Sequence, residues 1–430
     1  MNLNLKRVAE TSQLNPIKLL TRCLDYGMLF LIVLMMSTAL VYASDGINSP
    51  DISYSKANIL KVKKEIQEGN FRFMPAVKKI HHIADSLLQE GPWSVIQKER
   101  IPPSGDKHDY LSFAPYWWPD PADPAAPYIH KDGVKNYDLT TPDKANRYMV
   151  TDAAEILSLA YLLFDDERYA DHAVEIIKTW FLDDSTAMNP NFEFAQGIPN
   201  RTTGRSFGMI ESRRFIQVLD AANLLSDSPA YTPEIHAGLQ KWFGEFLHWM
   251  LTSEKGKKEG SCGNNHESSY TLQVIAYATF TGQDDIVRDQ IEHHFKTRLI
   301  RMITPEGKQP EELARTRSLH YSIFNLSFLM RICYLASNQG IDLYDYDTKD
   351  GRSIRKAVDF LLPYLNGEKD WPYQEIGNGL IGSDHLFYIL RRAGMWYDDA
   401  KYENTLRNYY GNRYPGRIEQ ITIPLLKTSE

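Results

Sequence analysis

Residues 141–181 read TPDKANRYMVTDAAEILSLAYLLFDDERYADHAVEIIKTWF, and this stretch decides the fold. Thr141-Pro142-Asp143 combines a side chain that caps a helix with a proline at the first helical position, where no backbone N–H is needed. Apolar residues then recur at Ala153, Ile156, Leu157, Ala160 and Leu163, the spacing of one helical face. After a short polar break, Ala170, Val174, Ile177 and Phe181 repeat it. Two helices joined by so short a loop lie side by side as an antiparallel hairpin.

The pattern continues on both sides. An amphipathic helix is expected over 71–88, stopped by Gly91-Pro92. Others are expected over 207–225, 233–251, 270–280, 284–303, 318–336, 353–365, 380–392 and 402–410. Leu239, Trp242, Phe243 and Phe246 form one stripe, and Leu319, Ile323, Leu326, Met330 and Cys333 another. No strand–helix–strand rhythm is visible, and strand-like alternation is confined to 417–425. The fold expected is all-α: an (α/α) toroid or incomplete barrel of about six to seven helical hairpins. A solenoid is less consistent, because no self-similar period of roughly 30–47 residues is found.

Composition narrows the setting. The chain has 430 residues, 43% hydrophobic and 24% charged, which is ordinary globular usage; 25 Tyr and 8 Trp supply either core or sugar-stacking surface. Lys6, Arg7, Lys18 and Arg22 precede an apolar run over 27–41 and then Val41-Tyr42-Ala43. This is the layout of a secretory signal peptide over 1–43, leaving one domain over 44–430. The run is short for a membrane-spanning anchor, which needs about 20 residues. A periplasmic or secreted protein is expected, with no stable membrane partner after cleavage. Cys23 lies ahead of the apolar run and no Cys marks the cut, which disfavours a lipid anchor. Cys262 and Cys333 can pair or remain free thiols. Losing four basic and two acidic residues with the leader takes the net charge from −7 to −9, which argues against nucleic acid. A local arginine cluster can still hold a polyanion within a Debye length of about 8 Å.

Chemistry concentrates in two places. Gly263-Asn264-Asn265-His266-Glu267-Ser268-Ser269-Tyr270 puts amide, imidazole and phenol groups at the start of an apolar helix. One of the two asparagines caps that helix, and the other is free for a site role. The second cluster runs from Glu311 to Tyr321 and holds Arg315, Arg317 and His320. Tyr321 points away from the Leu319 stripe, and Arg317, one turn before it, is positioned to lower its pKa. Arg315 is six residues from Tyr321 and reaches the same site only from the preceding loop. These groups meet the needs of β-elimination on a uronic acid, where a carboxylate is neutralised and a proton moves from C5 to the leaving O4.

Three aromatic- and polar-rich irregular stretches, over 112–133, 188–205 and 371–379, are candidates to line the site. Tyr116, Trp117 and Trp118 either stack on sugar rings or plug one end of the toroid. Arg201, Arg205, Arg213 and Arg214 contact flanking carboxylates or form surface ion pairs, and Gln196 and Tyr373 are further substrate-binding candidates.

Asn264-Asn265-His266, the run from Gln309 to Tyr321 and Phe324-Asn325-Leu326 resemble the alginate lyase family of α/α-toroid polysaccharide lyases, most closely its glucuronan- and alginate-cleaving branch. The looser segments over 116–120 and 204–213 are similar too, so the resemblance covers most of residues 60–400. It implies Asn265, His266 and Arg315 around the uronate carboxylate, and Tyr321 moving the proton. Glu267-Ser268-Ser269 departs from the pattern, since relatives often carry Gly and an aromatic there.

The expected function is therefore a lyase acting on an acidic polysaccharide, with no cofactor and no metal. The competing enzyme is an inverting glycoside hydrolase, which needs two carboxylates about 6.5–9.5 Å apart and has Glu193, Glu211, Glu312 and Glu375 to draw on. A non-catalytic glycan-binding protein is the alternative outside enzymes.

Overall fold

Thr141 caps its helix as the sequence requires: its hydroxyl accepts the Lys144 N–H at 3.3 Å, and Pro142 opens the first turn. The computed structural model describes residues 47–123, 125–377 and 384–426. The expected leader over 1–43 lies outside the described residues. In chain order the helices are α1 (Lys56–Gln67), α2 (Met74–Leu87), α3 (Pro142–Phe164), α4 (Glu167–Phe181) and α5 (Ile216–Leu224). Then follow α6 (Pro233–Thr252), α7 (Glu254–Glu259), α8 (Asn265–Phe280), α9 (Asp284–Asp289) and α10 (Pro310–Leu313). The last are α11 (Ser318–Asn338), α12 (Ile354–Leu365), α13 (Asp384–Tyr397), α14 (Ala400–Tyr410) and α15 (Glu419–Thr422).

Two kinds of helix result. α8 and α11 bury residues around their whole circumference, polar ones included, and pack on each other as an inner ring requires. α4 buries one side against α3, with exposed residues opposite. α3 also packs on α5, α11 on α13, and α13 on α14, giving the all-α toroid of hairpins. Phe181, Phe215, Trp242, Phe243 and Phe246 pack edge-on and face-to-face between α4, α5 and α6, burying the stripe read from the sequence.

The structure corrects several expectations. The helix expected over 284–303 breaks into α9, a π-type stretch Gln290–Phe295 and a 3-10 turn Leu299–Met302. Val287, Ile291, Phe295 and Leu299 are all buried, and they recur every four residues. A wider turn keeps such a row on one face, where an ideal helix would rotate it away. The helix expected over 207–225 starts as a 3-10 segment, Ser206–Phe215, in which the Ser212 and Arg213 side chains bond the carbonyls of Met209 and Ile210. The tail over 417–425, irregular by expectation for all its strand-like alternation, holds the short helix α15, anchored where Arg391 donates to the Ile423 carbonyl at 2.5 Å. The strands lie elsewhere: β1 (Leu111–Phe113) runs parallel to β4 (Phe194–Gly197), and β2 (Trp117–Trp118) pairs antiparallel with β3 (Ile129–His130).

Cys262 and Cys333 are both free thiols. Among the described residues no helix is long and apolar enough to cross a membrane.

Candidate active site

Asn264 is the cap: its side-chain oxygen accepts the His266 N–H at 3.0 Å, which leaves Asn265 as the first residue of α8. Glu312 on α10 holds Asn265 at both ends, accepting its backbone N–H at 2.7 Å and its side-chain amide at 2.8 Å. Burial pushes the Glu312 carboxyl up, and the two donors oppose that shift. His266 bonds through Nδ1 to Glu259, at the end of α7, at 2.6 Å, and its ring centre lies 4.4 Å from that of Phe207. With Nδ1 as donor to a carboxylate, Nε2 carries the ring's lone pair.

Arg315 lies between α10 and α11, outside any helix, as its offset from Tyr321 demands. Its guanidinium carbon sits 3.7 Å from the Tyr321 ring centre. The same guanidinium reaches both oxygens of Asp132, with Nη2 at 2.5 Å and Nε at 3.2 Å. Burial raises the Asp132 carboxyl, but hydrogen bonds from Arg315 and Thr316 override it and bring it to about 2. Gly133 makes this approach available: with φ of 73°, any Cβ there would stand 2.6 Å from the Thr316 hydroxyl.

Tyr321 is buried, and its hydroxyl lies 2.9 Å from that of Tyr116. Its phenol is pushed up, first by burial and then by Tyr116, against the opposing field of Arg315. The lowered pKa expected from Arg317 is therefore corrected. Arg317 precedes α11 in a backbone bridge with Glu375, whose carboxylate accepts the Leu319 and His320 N–H groups, and the cation over the ring is Arg315. Contacts thus join Asn265 through Glu312 to Arg315, whose N–H bonds the Glu312 carbonyl at 3.2 Å, and Arg315 to Tyr321 and Tyr116, while His266 is held by Glu259.

Residues 94–371 match the family model described as alginate lyase. A crystal structure of an alginate lyase from Bacteroides ovatus shares 38% identity and a TM-score of 0.84, covering 88% of this chain and all of its own. The chain belongs to the alginate lyase family. It is a polysaccharide lyase. Two more distant structures share the fold. Alginate lyase A1-III from Sphingomonas species A1 is 17% identical with a TM-score of 0.50, over 75% of this chain and 88% of that one. A histidine-to-alanine variant of A1-III complexed with a tetrasaccharide is 16% identical with a TM-score of 0.55, over 84% and 91%. No curated protein matches the chain.

The lyase distributes its other candidate residues unevenly. Arg205 donates to Gln196 at 2.7 Å and covers the Phe207 ring that supports His266, and burial brings its pKa down to about 10. Gln196 is itself held by Glu211 at 3.2 Å. His320 stacks on Phe324, and burial, helped by Arg317, lowers it to about 4, so it is neutral at neutral pH. Arg213 lies over Phe324 and is lowered to about 10 by burial. Arg214 pairs with Asp152. Trp117 is packed with Ala114 and Ile198 beneath Arg201, whereas Trp118 is half-buried and bonds the Val134 carbonyl. Tyr373 rests on Trp371, and no contact among the described residues joins it to the cluster.

The four carboxylates open to a hydrolase are committed elsewhere: Glu193 to Lys255, Glu211 to Lys144 and Tyr110, Glu312 to Asn265, and Glu375 to the Leu319 N–H. Glu267, from the divergent Glu267-Ser268-Ser269, bonds the Gly263 N–H and pairs with Arg298. Sequence reasoning missed Asp132, Glu259 and Phe207. Asp132-Gly133 carried a turn signal, but Glu259 ends a lysine-rich segment that reads as solvent-facing.

Proposed function

We propose that this lyase cleaves 4-linked uronate polymers, polymannuronate-type alginate or glucuronan, by β-elimination. The observation that carries the reading is the placement of Arg315 over Tyr321, with Asn265 held beside it by Glu312 and His266 next to Asn265 at the start of α8. Asn265, His266 and Arg315 neutralise the C5 carboxylate, so that charge released from C5 settles on it as an enolate. A preorganised donor of this kind contributes about 3 kcal/mol to the barrier. Tyr321 removes the C5 proton and returns it to O4; the C4–O bond breaks as the C4–C5 double bond forms. In β-D-mannuronate and β-D-glucuronate both atoms lie on one face, which suits a single phenol. The Tyr116 hydroxyl donates to Tyr321 while the latter is a phenolate.

A second reading has its own observation. Glu259 fixes Nδ1 of His266 as the donor and leaves Nε2 as a base, which suits α-L-guluronate, where the C5 proton lies opposite O4 and Tyr321 acts only as acid. Incubation with polymannuronate, polyguluronate and glucuronan tests both readings. Unsaturated ends from the first and third support syn elimination, and ends from polyguluronate alone support the anti route. New reducing ends without a double bond would overturn both. A polymer substrate also fits export of the chain, so a periplasmic or extracellular location goes with this proposal.

A further inference from the structure

Apart from the Asn265–Tyr321 cluster, none of whose residues lines it, the toroid holds a space of about 490 Å³ walled by α3, α5, α11 and α13 and by residues 417–419. Small-ligand pockets run from about 300 to 1,000 Å³. The Phe324 ring stands between the two. On one side it stacks on His320 at 5.9 Å and meets Tyr321 at 6.4 Å; on the other it meets Phe328 at 4.5 Å and His385 at 5.0 Å.

Much of the charge on these walls is neutralised within the protein. Arg214 pairs with Asp152, and Arg417 with Asp384 and Glu419. Arg213 and Arg331 belong to no ion pair among the described residues; Arg331 lies 4.0 Å from the Tyr388 ring centre and Arg213 lies 5.2 Å from that of Phe324. The same walls carry buried oxygens with no hydrogen-bond partner: Asp220 Oδ2, Gln217 Oε1 and Tyr388 Oη. Asp220 uses only its other oxygen, which accepts the Ser53 N–H at 2.8 Å. A buried polar atom without a partner is costly, so several around one space fit a place that takes a polar guest.

The guest's chemistry follows from what is missing. Arg213 and Arg331 offer an anion two guanidiniums outside any ion pair, Arg331 also acting on the buried Glu155 and Asp220 carboxyls of the same walls; the free acceptors call for hydroxyl donors, and the Phe328 ring offers an apolar face. A sugar acid presents all three. We propose that this space is a second saccharide site, separate from the catalytic cleft, that binds a short uronate of one or two units through Arg331 and Arg213, with its hydroxyls on Asp220 and Gln217. The inference rests on the uronate reading of the cleft only for the source of the ligand, since cleavage there releases such fragments.

Isothermal titration of the full chain with D-glucuronate tests it, with D-glucose and sulfate as controls. Saturable glucuronate binding is expected, at least tenfold weaker for both controls. Arg331→Gln should weaken it at least tenfold, and His266→Ala should leave it unchanged. Phe328→Trp, which crowds the apolar wall of the space, should weaken it at least tenfold, and it serves alone if Arg331→Gln fails to fold. The proposal is overturned if glucuronate does not bind, if sulfate binds equally well, or if the loss follows His266→Ala instead. Release of unsaturated ends from polymer is measured separately on the unaltered chain, so failure of the lyase reading would leave the glucuronate result standing.

Discussion

The hydroxyls of Tyr116 and Tyr321 lie 2.9 Å apart, one carried by the loop before β2 and the other by the first turn of the inner helix α11. This pairing gives the proton of the buried Tyr321 a defined partner before substrate arrives. Tyr321→Phe is expected to lower kcat for release of unsaturated ends by about a thousandfold or more, since it removes both base and acid. Tyr116→Phe keeps the ring and loses only the second hydroxyl, so a loss of about tenfold in kcat is expected. Because burial holds the Tyr321 phenol above its ordinary value, the phenolate is a minor species at neutral pH. The rate on polymannuronate should therefore climb with pH, by up to about tenfold per unit. A profile that falls on the alkaline side would show that Tyr321 works only as an acid.

Asp132 should make Arg315 both better placed and more costly to disturb. Asp132→Ala is expected to lower kcat more than it raises KM, because the guanidinium loses the carboxylate that aims it. The pairing also has a pH signature. The Asp132 carboxyl is brought to about 2, below its ordinary value, so its contribution to stability is complete above the unfolded value of about 3.9 and disappears as pH falls through 2. Melting curves of the two proteins should therefore differ at pH 6 and converge as the pH is lowered. A gap that stays constant from pH 6 to pH 2 would mean that the pair contributes nothing to folding.

Much of this was legible in the sequence because helices announce themselves by spacing and caps. Thr141-Pro142 and the stripe of Leu239, Trp242, Phe243 and Phe246 behave as their patterns require. Asn264 and Asn265 divide their labour as one cap and one residue held by Glu312, and six residues separate Arg315 from Tyr321 because one lies in a loop. What could not be read is what depends on distant packing. Tyr321 lies off the apolar stripe of α11, which suggested exposure and a cation-lowered pKa. In the inner ring of a toroid every face of the helix is covered, so burial outweighs the neighbouring charge. Asp132 sits 183 residues from the side chain it holds, beyond any local rule, and Glu259 sits 7 from His266 across a break between two helices, where helical spacing does not apply.

Glu312 has no contact with substrate in this scheme, yet its two bonds determine where the Asn265 amide points. Glu312→Gln keeps the shape but replaces one acceptor oxygen with an N–H donor that faces an N–H of Asn265. A loss of about 1–3 kcal/mol of stability is expected from the mismatched buried pair, together with a fall in kcat. Glu312→Asp keeps the charge and should recover part of the activity. If Glu312→Gln is as active as the unaltered enzyme, Asn265 does not act on the substrate carboxylate.

Glu259 separates the two readings of His266. Its carboxylate is 1% exposed and touches Nδ1 at 2.6 Å, so it fixes both the tautomer and the ring orientation. As a carboxylate neutraliser, His266 needs only to present an N–H or a positive charge to the substrate, and Glu259→Gln should then lower kcat/KM by about 10–100-fold on every polymer alike, the scale of a lost supporting contact. As the base for α-L-guluronate, His266 needs Nε2 free of a proton, and Glu259→Gln also removes the negative charge that stabilises the imidazolium formed when C5 is deprotonated. Activity on polyguluronate should in that case fall well beyond the loss on polymannuronate, and the two polymers assayed side by side give the ratio directly. A ratio unchanged by Glu259→Gln would remove His266 as the base and leave the phenol of Tyr321 to do that work.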